Sequence, residues 1–169
     1  MADPVLAGPE AKPSTDPALR AKKKPPSRFK IAINKGVVRL NVYVYRKSGG
    51  KILGRFGRLD ALLITTLGRK TGKTRTNPVG YIYDGGRFAV CGAYGGEAVH
   101  PAWFLNLRAV PRATVEIGRE KIEVTAEVLL PGAERDRIWQ RMVDVFPSFA
   151  KFQSKTSRLI PVVLLTPAP

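Results

Sequence analysis

The chain has 169 residues, 44% of them hydrophobic, with one cysteine, one histidine and a formal net charge of +16. That length supports one domain with a full core. The cysteine and histidine counts exclude an internal disulfide framework, a His-rich metal centre and a His-based catalytic cluster.

The charge is concentrated. Between Pro17 and Leu59 there are thirteen lysines and arginines and no acid, which leaves about +3 for the rest of the chain. Such a segment seeks an anionic surface, membrane or nucleic acid. Residues 1–26, rich in Pro, Ala and charge and without periodicity, read as a disordered tail. Residues 27–47 read as a basic amphipathic helix. Phe29, Ile33, Val37, Leu40 and Val44 share one stripe at 100° per residue, and Arg28, Lys35, Arg39 and Arg46 lie nearly opposite. The apolar stripe either docks on the domain or, with the cations of residues 20–47, lies on an anionic bilayer. No run reaches the roughly 20 apolar residues of a spanning helix. Lys30, Lys35 and Arg39 interrupt the stretch that would make a secretory signal. A cytoplasmic protein, peripheral on the inner face of the cell membrane, is the expected location.

Residues 48–169 carry the folded domain. Ser48-Gly49-Gly50 ends the helix, and strands are expected at Leu62–Leu67, Val79–Tyr83, Arg87–Ala93, Thr114–Ile117, Ile122–Leu129 and Pro161–Leu165. Asp84-Gly85-Gly86 is a hairpin turn. Along the fifth strand Ile122, Val124, Ala126 and Val128 alternate with polar residues, as one buried face requires. A helix over Ala102–Ala109 opens after Pro101. A longer one, Gly132–Phe146, turns Ile138, Trp139, Met142, Val143 and Phe146 inward, and a short one carries Phe149 and Phe152. No βαβ repeat occurs, so the pattern is a mainly β fold with peripheral helices, best closed as a small barrel.

The stretch from Leu67 to Pro78, LGRKTGKTRTNP, resembles a phosphate-binding P-loop but is one residue short, with three residues between Gly68 and Gly72. It also lacks the helix that a P-loop must open. It reads instead as a turn between two strands, carrying Arg69, Lys70, Lys73 and Arg75, with no acid between Asp60 and Asp84. A solvated hairpin tip is the plainer reading. Four cations beside two glycines and two threonines favour an anion site.

Four pieces in order carry a resemblance: Leu63–Gly72 (LITTLGRKTG), Arg75–Pro78 (RTNP), Tyr94-Gly95-Gly96 and His100–Leu107 (HPAWFLNL). With their spacings, over roughly Asn41 to Leu165, the chain resembles the deazaflavin-dependent nitroreductase family. Those are the coenzyme F420-dependent members of the flavin/deazaflavin oxidoreductases. The resemblance implies a split β-barrel of the FMN-binding type holding coenzyme F420, an 8-hydroxy-5-deazaflavin, in a groove. It implies that Arg69, Lys70, Thr71 and Arg75 bind the anionic tail, and that Thr76, Asn77, Pro78 and Val79 line the coenzyme's path. Cys91, Gly92, Ala93 and Tyr94 would pass close to the ring. Ala102, Trp103, Phe104, Leu105 and Asn106 would close the pocket, Asn106 as a polar anchor and Trp103 either there or in plain core packing. The extra hairpin charge suits a polyanionic tail better than the single phosphate of FMN.

Two departures bear on the substrate. The best-known nitroreductases carry a Ser-Lys pair where this chain has Ala93-Tyr94, and tyrosines where it has Phe146, Phe149 and Phe152. Three phenylalanines cannot donate protons; they make an apolar wall suited to a quinone-like acceptor, with a nitro compound as a further candidate. A non-catalytic barrel that holds a lipid, a fatty acid or the coenzyme itself is the alternative. Nucleic acid is disfavoured, because aromatic side chains beside the basic segment are few. No protein partner is indicated, no metal is expected, and no side chain is assigned the bond-making step.

Overall fold

The computed structural model describes residues 28–169, with side chains from Gly36 onward, so the expected tail and the first part of the expected helical stripe lie outside the described residues. The elements are α1 (Arg28–Ser48), β1 (Arg55–Phe56), β2 (Leu59–Leu67), β3 (Thr74–Asp84), β4 (Arg87–Cys91), a single 3-10 turn (Tyr94–Gly96), α2 (Ala102–Ala109), β5 (Arg112–Ile117), β6 (Glu120–Val128), α3 (Ala133–Val145), α4 (Ser148–Ser154) and β7 (Val162–Pro167).

All neighbours are antiparallel, in the order β1-β2-β3-β4-β7-β6-β5, and β5 returns to pair with β2 from Leu63↔Glu116 to Thr66↔Ala113. Six strands, β2 to β7, therefore close into a barrel, and β1 is a two-residue extension on β2. Strand alternation sorts the core. Leu62, Ile64, Val90, Val115, Val124, Val163 and Leu165 face inward and pack with Trp103, Phe104 and Leu107 of α2. The intervening positions face outward, where Ala89, Cys91, Val162 and Leu164 meet Ile138, Met142 and Phe149 of α3 and α4. This is the barrel with peripheral helices that the sequence suggests, and α3 buries Ile138 and Met142 as its periodicity requires.

Asp84 fixes α3 to the β3–β4 turn. It is buried, it accepts a two-pronged pair from Arg137 at 2.9 Å on each oxygen, and it also pairs with Arg141 and with Arg87 at 3.6 Å. The Arg137 hydrogen bonds hold its carboxyl below the ordinary carboxylate range.

Two expectations are corrected. The helix docks by a different face from the stripe over Val37, Leu40 and Val44. Val38, Val42 and Tyr45 pack on Leu63, while Val37, Leu40 and Tyr43 face solvent at 50%, 61% and 59% exposure. Polar partners select that face. The Tyr45 hydroxyl donates toward Ala61 O and Glu116 O and accepts from Gly118 N at 3.1 Å, and Arg46 makes a two-pronged pair with buried Glu116. The second correction concerns β3, which begins at Thr74, so Arg75–Pro78 belongs to a strand and the turn proper is Gly68–Lys73. A proline inside the strand is tolerated because Pro78 pairs only with Leu63 of β2; β4 does not reach it.

Candidate functional site: a basic hairpin beside an opened barrel edge

The opening in the barrel follows from strand register. β3 and β4 pair from Asp84↔Arg87 to Tyr81↔Val90 and then part. Beyond that point β3 runs on from Gly80 back to Thr74 with β2 as its only neighbour. The other strand leaves the sheet as Gly92-Ala93 and enters the 3-10 turn. A groove thus lies between Thr74–Gly80 and Cys91–Tyr94, with an unpaired strand edge along one side. Half-buried Thr76, Asn77 and Pro78 line that side, and Val79 is buried against the core.

The hairpin stands at the Thr74 end. Gly68 N donates to Lys73 O at 2.9 Å and Gly72 N to Gly68 O at 2.7 Å. Gly72, at φ +64, takes the left-handed conformation the turn needs. Arg69, Lys70, Lys73 and Arg75 are exposed, and among the described residues none pairs with a carboxylate. The two acids that flank this stretch in sequence, Asp60 and Asp84, lie at the far end of the β2–β3 pair, where Asp60 pairs with Arg55 and Asp84 with α3. Asn106 fixes the hairpin base. It is buried at 4% exposure, its Oδ1 accepts from Arg69 N at 3.2 Å, and its Nδ2 donates to Thr66 Oγ1 at 3.0 Å. Asn106, expected as a polar anchor of the coenzyme pocket, makes its direct contacts with Arg69 and Thr66 at the hairpin base. Trp103 and Phe104 are buried in the inner core, which is the packing alternative for Trp103; Ala102 is exposed and Leu105 half-buried.

At the other wall, Tyr94, Gly95 and Gly96 occupy the left-handed region in succession, at φ +49, +65 and +81. Tyr94 is the unusual member, since a side chain there costs roughly 1 kcal/mol or more; half of it is exposed. A Cβ on Gly96 would lie 2.6 Å from Phe152 O, so α4 rests directly on this turn. Phe146, Phe149 and Phe152 form a row, with ring centroids 5.2 and 6.3 Å apart and edge-on packing. Phe149 is the buried centre of the row, and Phe146 and Phe152 are half-buried at its ends. The expected ring wall and the expected apolar wall are therefore neighbours.

One group at this wall carries no signal in the sequence. Arg158, between α4 and β7, donates to Gly92 O at 3.0 Å, Ala93 O at 2.8 Å and Glu97 O at 2.8 Å, and its Nη1 lies 3.3 Å from His100 Nδ1. Its partners are main-chain oxygens, which no residue pattern reveals. Arginine is the donor here, so His100 accepts through Nδ1 in its neutral form. Burial, with help from Arg158 and Arg108, holds that imidazole below its ordinary value. Cys91 is buried, and burial pushes its thiol up to about 12.

Two clefts of about 580 and 550 Å³ lie elsewhere, against α3 and against the end of α1, and neither includes the hairpin cations or Cys91–Tyr94. No group of three or more His, Cys, Asp or Glu among the described residues could hold a metal ion.

A closed antiparallel barrel with a parted edge is the architecture of the split-barrel flavin and deazaflavin oxidoreductases. Residues 37–167 match the family described as F420H(2)-dependent quinone reductase, and the chain belongs to that family. It is accordingly an oxidoreductase that uses coenzyme F420. It is 35% identical over 133 residues to the F420H(2)-dependent quinone reductase Rv1261c of Mycobacterium tuberculosis (strain ATCC 25618 / H37Rv), covering 77% of this chain and 89% of the relative. Among solved structures it is similar to an F420-H2 dependent reductase, FDR-A, at 37% identity and a TM-score of 0.57, covering 62% of this chain and 92% of the other. A structure described as a domain-swapped dimer is 29% identical with a TM-score of 0.60, covering 82% of this chain and 99% of the other. The donor set suits the coenzyme: four cations without carboxylate partners stand where one end of the groove would receive an anionic tail.

Proposed function

We propose that the chain reduces a quinone at the expense of reduced coenzyme F420, with the coenzyme's anionic tail on Arg69, Lys70, Thr71 and Arg75 and its ring between Thr76–Val79 and Cys91–Tyr94. The hairpin cations at the mouth of the parted edge, none of them paired with a carboxylate among the described residues, carry this reading. When bound, the coenzyme supplies a hydride equivalent to the acceptor. Converting a quinone to a hydroquinone takes that hydride and one proton. Phe146, Phe149 and Phe152 supply no proton; they exclude water and receive a flat apolar ring. The Tyr94 hydroxyl stands at the adjoining turn, and solvent reaches it. Orientation, desolvation and fixed charge are the protein's share.

A membrane-borne quinone fits the surface of α1. The helix keeps Val38, Val42 and Tyr45 for the barrel and turns Val37, Leu40 and Tyr43 outward beside Arg39 and Lys47. One helix can thus hold the barrel and touch an anionic bilayer with no rearrangement.

The test is a fluorescence titration with oxidised coenzyme F420, with FMN in parallel. Each charge-assisted contact is worth about 1.5–3 kcal/mol when shielded and less when exposed. Lys70→Ala should therefore weaken F420 binding by about tenfold, with a shallower salt dependence. Equal binding of F420 by parent and variant would remove the hairpin from the site. A preference for FMN would change the coenzyme.

A further inference from the structure

We propose that Arg158 is a positioning residue for the reaction: it holds the Gly92–Tyr94 wall of the groove in the shape that presents the coenzyme ring to the acceptor. This rests on the coenzyme reading given above. β4 and β7 stop pairing at Cys91↔Val162, so the carbonyls that follow have no strand to receive them. Gly92 still donates its N–H to Pro161 O at 2.9 Å, but its own oxygen turns the other way. The Arg158 guanidinium takes the place of the missing strand. One nitrogen, Nη2, spans Gly92 O and Ala93 O, and Nε reaches Glu97 O on the far side of the left-handed turn. The three oxygens bracket Tyr94, Gly95 and Gly96, a left-handed turn outside the sheet.

Charge alone does not explain the arrangement. No carboxylate pairs with Arg158 among the described residues. A planar fork with fixed N–H directions suits three oxygens in different directions; a lysine ammonium on a flexible stem does not. The other face of the turn rests on the main chain of α4 at Phe152. Gln153 of α4 donates to Arg158 O at 2.8 Å, so the residue that holds the ring wall is itself tied to the helix carrying Phe149 and Phe152. The hairpin is held separately, through Asn106.

That separation sets the test. Full-length parent, Arg158→Met, Arg158→Lys, Arg158→Ala and the hairpin variant Lys70→Ala would each be titrated with oxidised coenzyme F420 and assayed with reduced coenzyme and a soluble menaquinone analogue. The imidazole resonances of His100, the only histidine in the chain, report the wall itself. Arg158→Met should bind the coenzyme within about threefold of the parent, lose about 10- to 100-fold in kcat and shift the His100 resonances. Arg158→Lys should keep the charge and still lose most of kcat. Added ethylguanidinium should restore part of the activity of Arg158→Ala but none of that of Lys70→Ala. Unchanged kcat in both Met and Lys variants would overturn the proposal, as would a loss of affinity matching that of Lys70→Ala, which would make Arg158 one more anion anchor. Should the Met variant fail to fold, the Lys variant and the rescue decide. Failure of the parent to bind F420 overturns the coenzyme reading, and this proposal with it; binding and turnover in the parent with unaffected Arg158 variants overturns this proposal alone.

Discussion

Single side chains in this protein connect elements that the chain order keeps apart. Asn106 joins α2 to the hairpin through one amide, with Arg69 N on its oxygen and Thr66 on its nitrogen. Asn106→Leu keeps the volume and strands both partners, which costs about 1–3 kcal/mol for each group left unsatisfied in the interior. The expected outcome is a lower melting temperature together with weaker coenzyme binding, because the cations lose their fixed base. A variant with lower stability but parent-like F420 affinity would show that the hairpin holds its shape unaided. Asn106 was singled out in the sequence through the family resemblance, as a polar anchor, though not as the hairpin's. Arg158 was not, since a surface-like Thr-Ser-Arg stretch gives no hint that its donors meet three carbonyls.

Elements show where periodicity suffices and where tertiary contact decides. β6 and α3 follow their patterns closely, because each has one apolar face and one place to put it. α1 is apolar over a broad arc, so the docking face was set by the Tyr45 hydroxyl and by Arg46 with Glu116, neither of which a hydropathy stripe weighs. The start of β3 was hidden by Asn77-Pro78, which reads as a turn until the unpaired edge is known. The docking of α1 also changes how its role is tested. Removing residues 1–47 would strip Val42, Tyr45 and Arg46 from the barrel and confound any loss of activity. Leu40→Glu with Tyr43→Glu alters only exposed positions and should change stability by less than about 0.5 kcal/mol each. Partition onto anionic vesicles should fall by about tenfold in that double variant. Unaltered partition at low salt would leave α1 as a packing helix alone.

At the scale of the whole molecule, the fold was readable because strands of alternating pattern with no crossover helices leave few ways to bury one face except closure. The +16 charge settles little about the fold, and its effect is on approach. Acid response is likewise a property of the whole. His100 is kept neutral in the fold and Asp84 is kept ionised, so both folded-state pKa values lie below the unfolded ones. Between unfolded and folded values the unfolded chain binds more protons, and stability falls as pH falls. The His100 contribution is complete above about 6.5 and is lost below it; that of Asp84 is complete above about 3.9 and is lost further down. Thermal melts from pH 8 to pH 3 should show two descending stages, and Asp84→Asn should flatten the lower one. A melting temperature that rises between pH 7 and pH 5 would contradict the His100 part.

Quinones are electrophiles as well as oxidants, and thiolates add to their rings. An enzyme that meets such molecules at every turnover risks arylation of any cysteine it exposes. Here the only cysteine is sealed between the barrel and α3–α4 with its thiol pushed up to about 12. At neutral pH the group stays a thiol, and the thiolate is the nucleophile. If the acceptor is the quinone proposed above, the barrel's outer packing keeps the one sulfur nucleophile away from it.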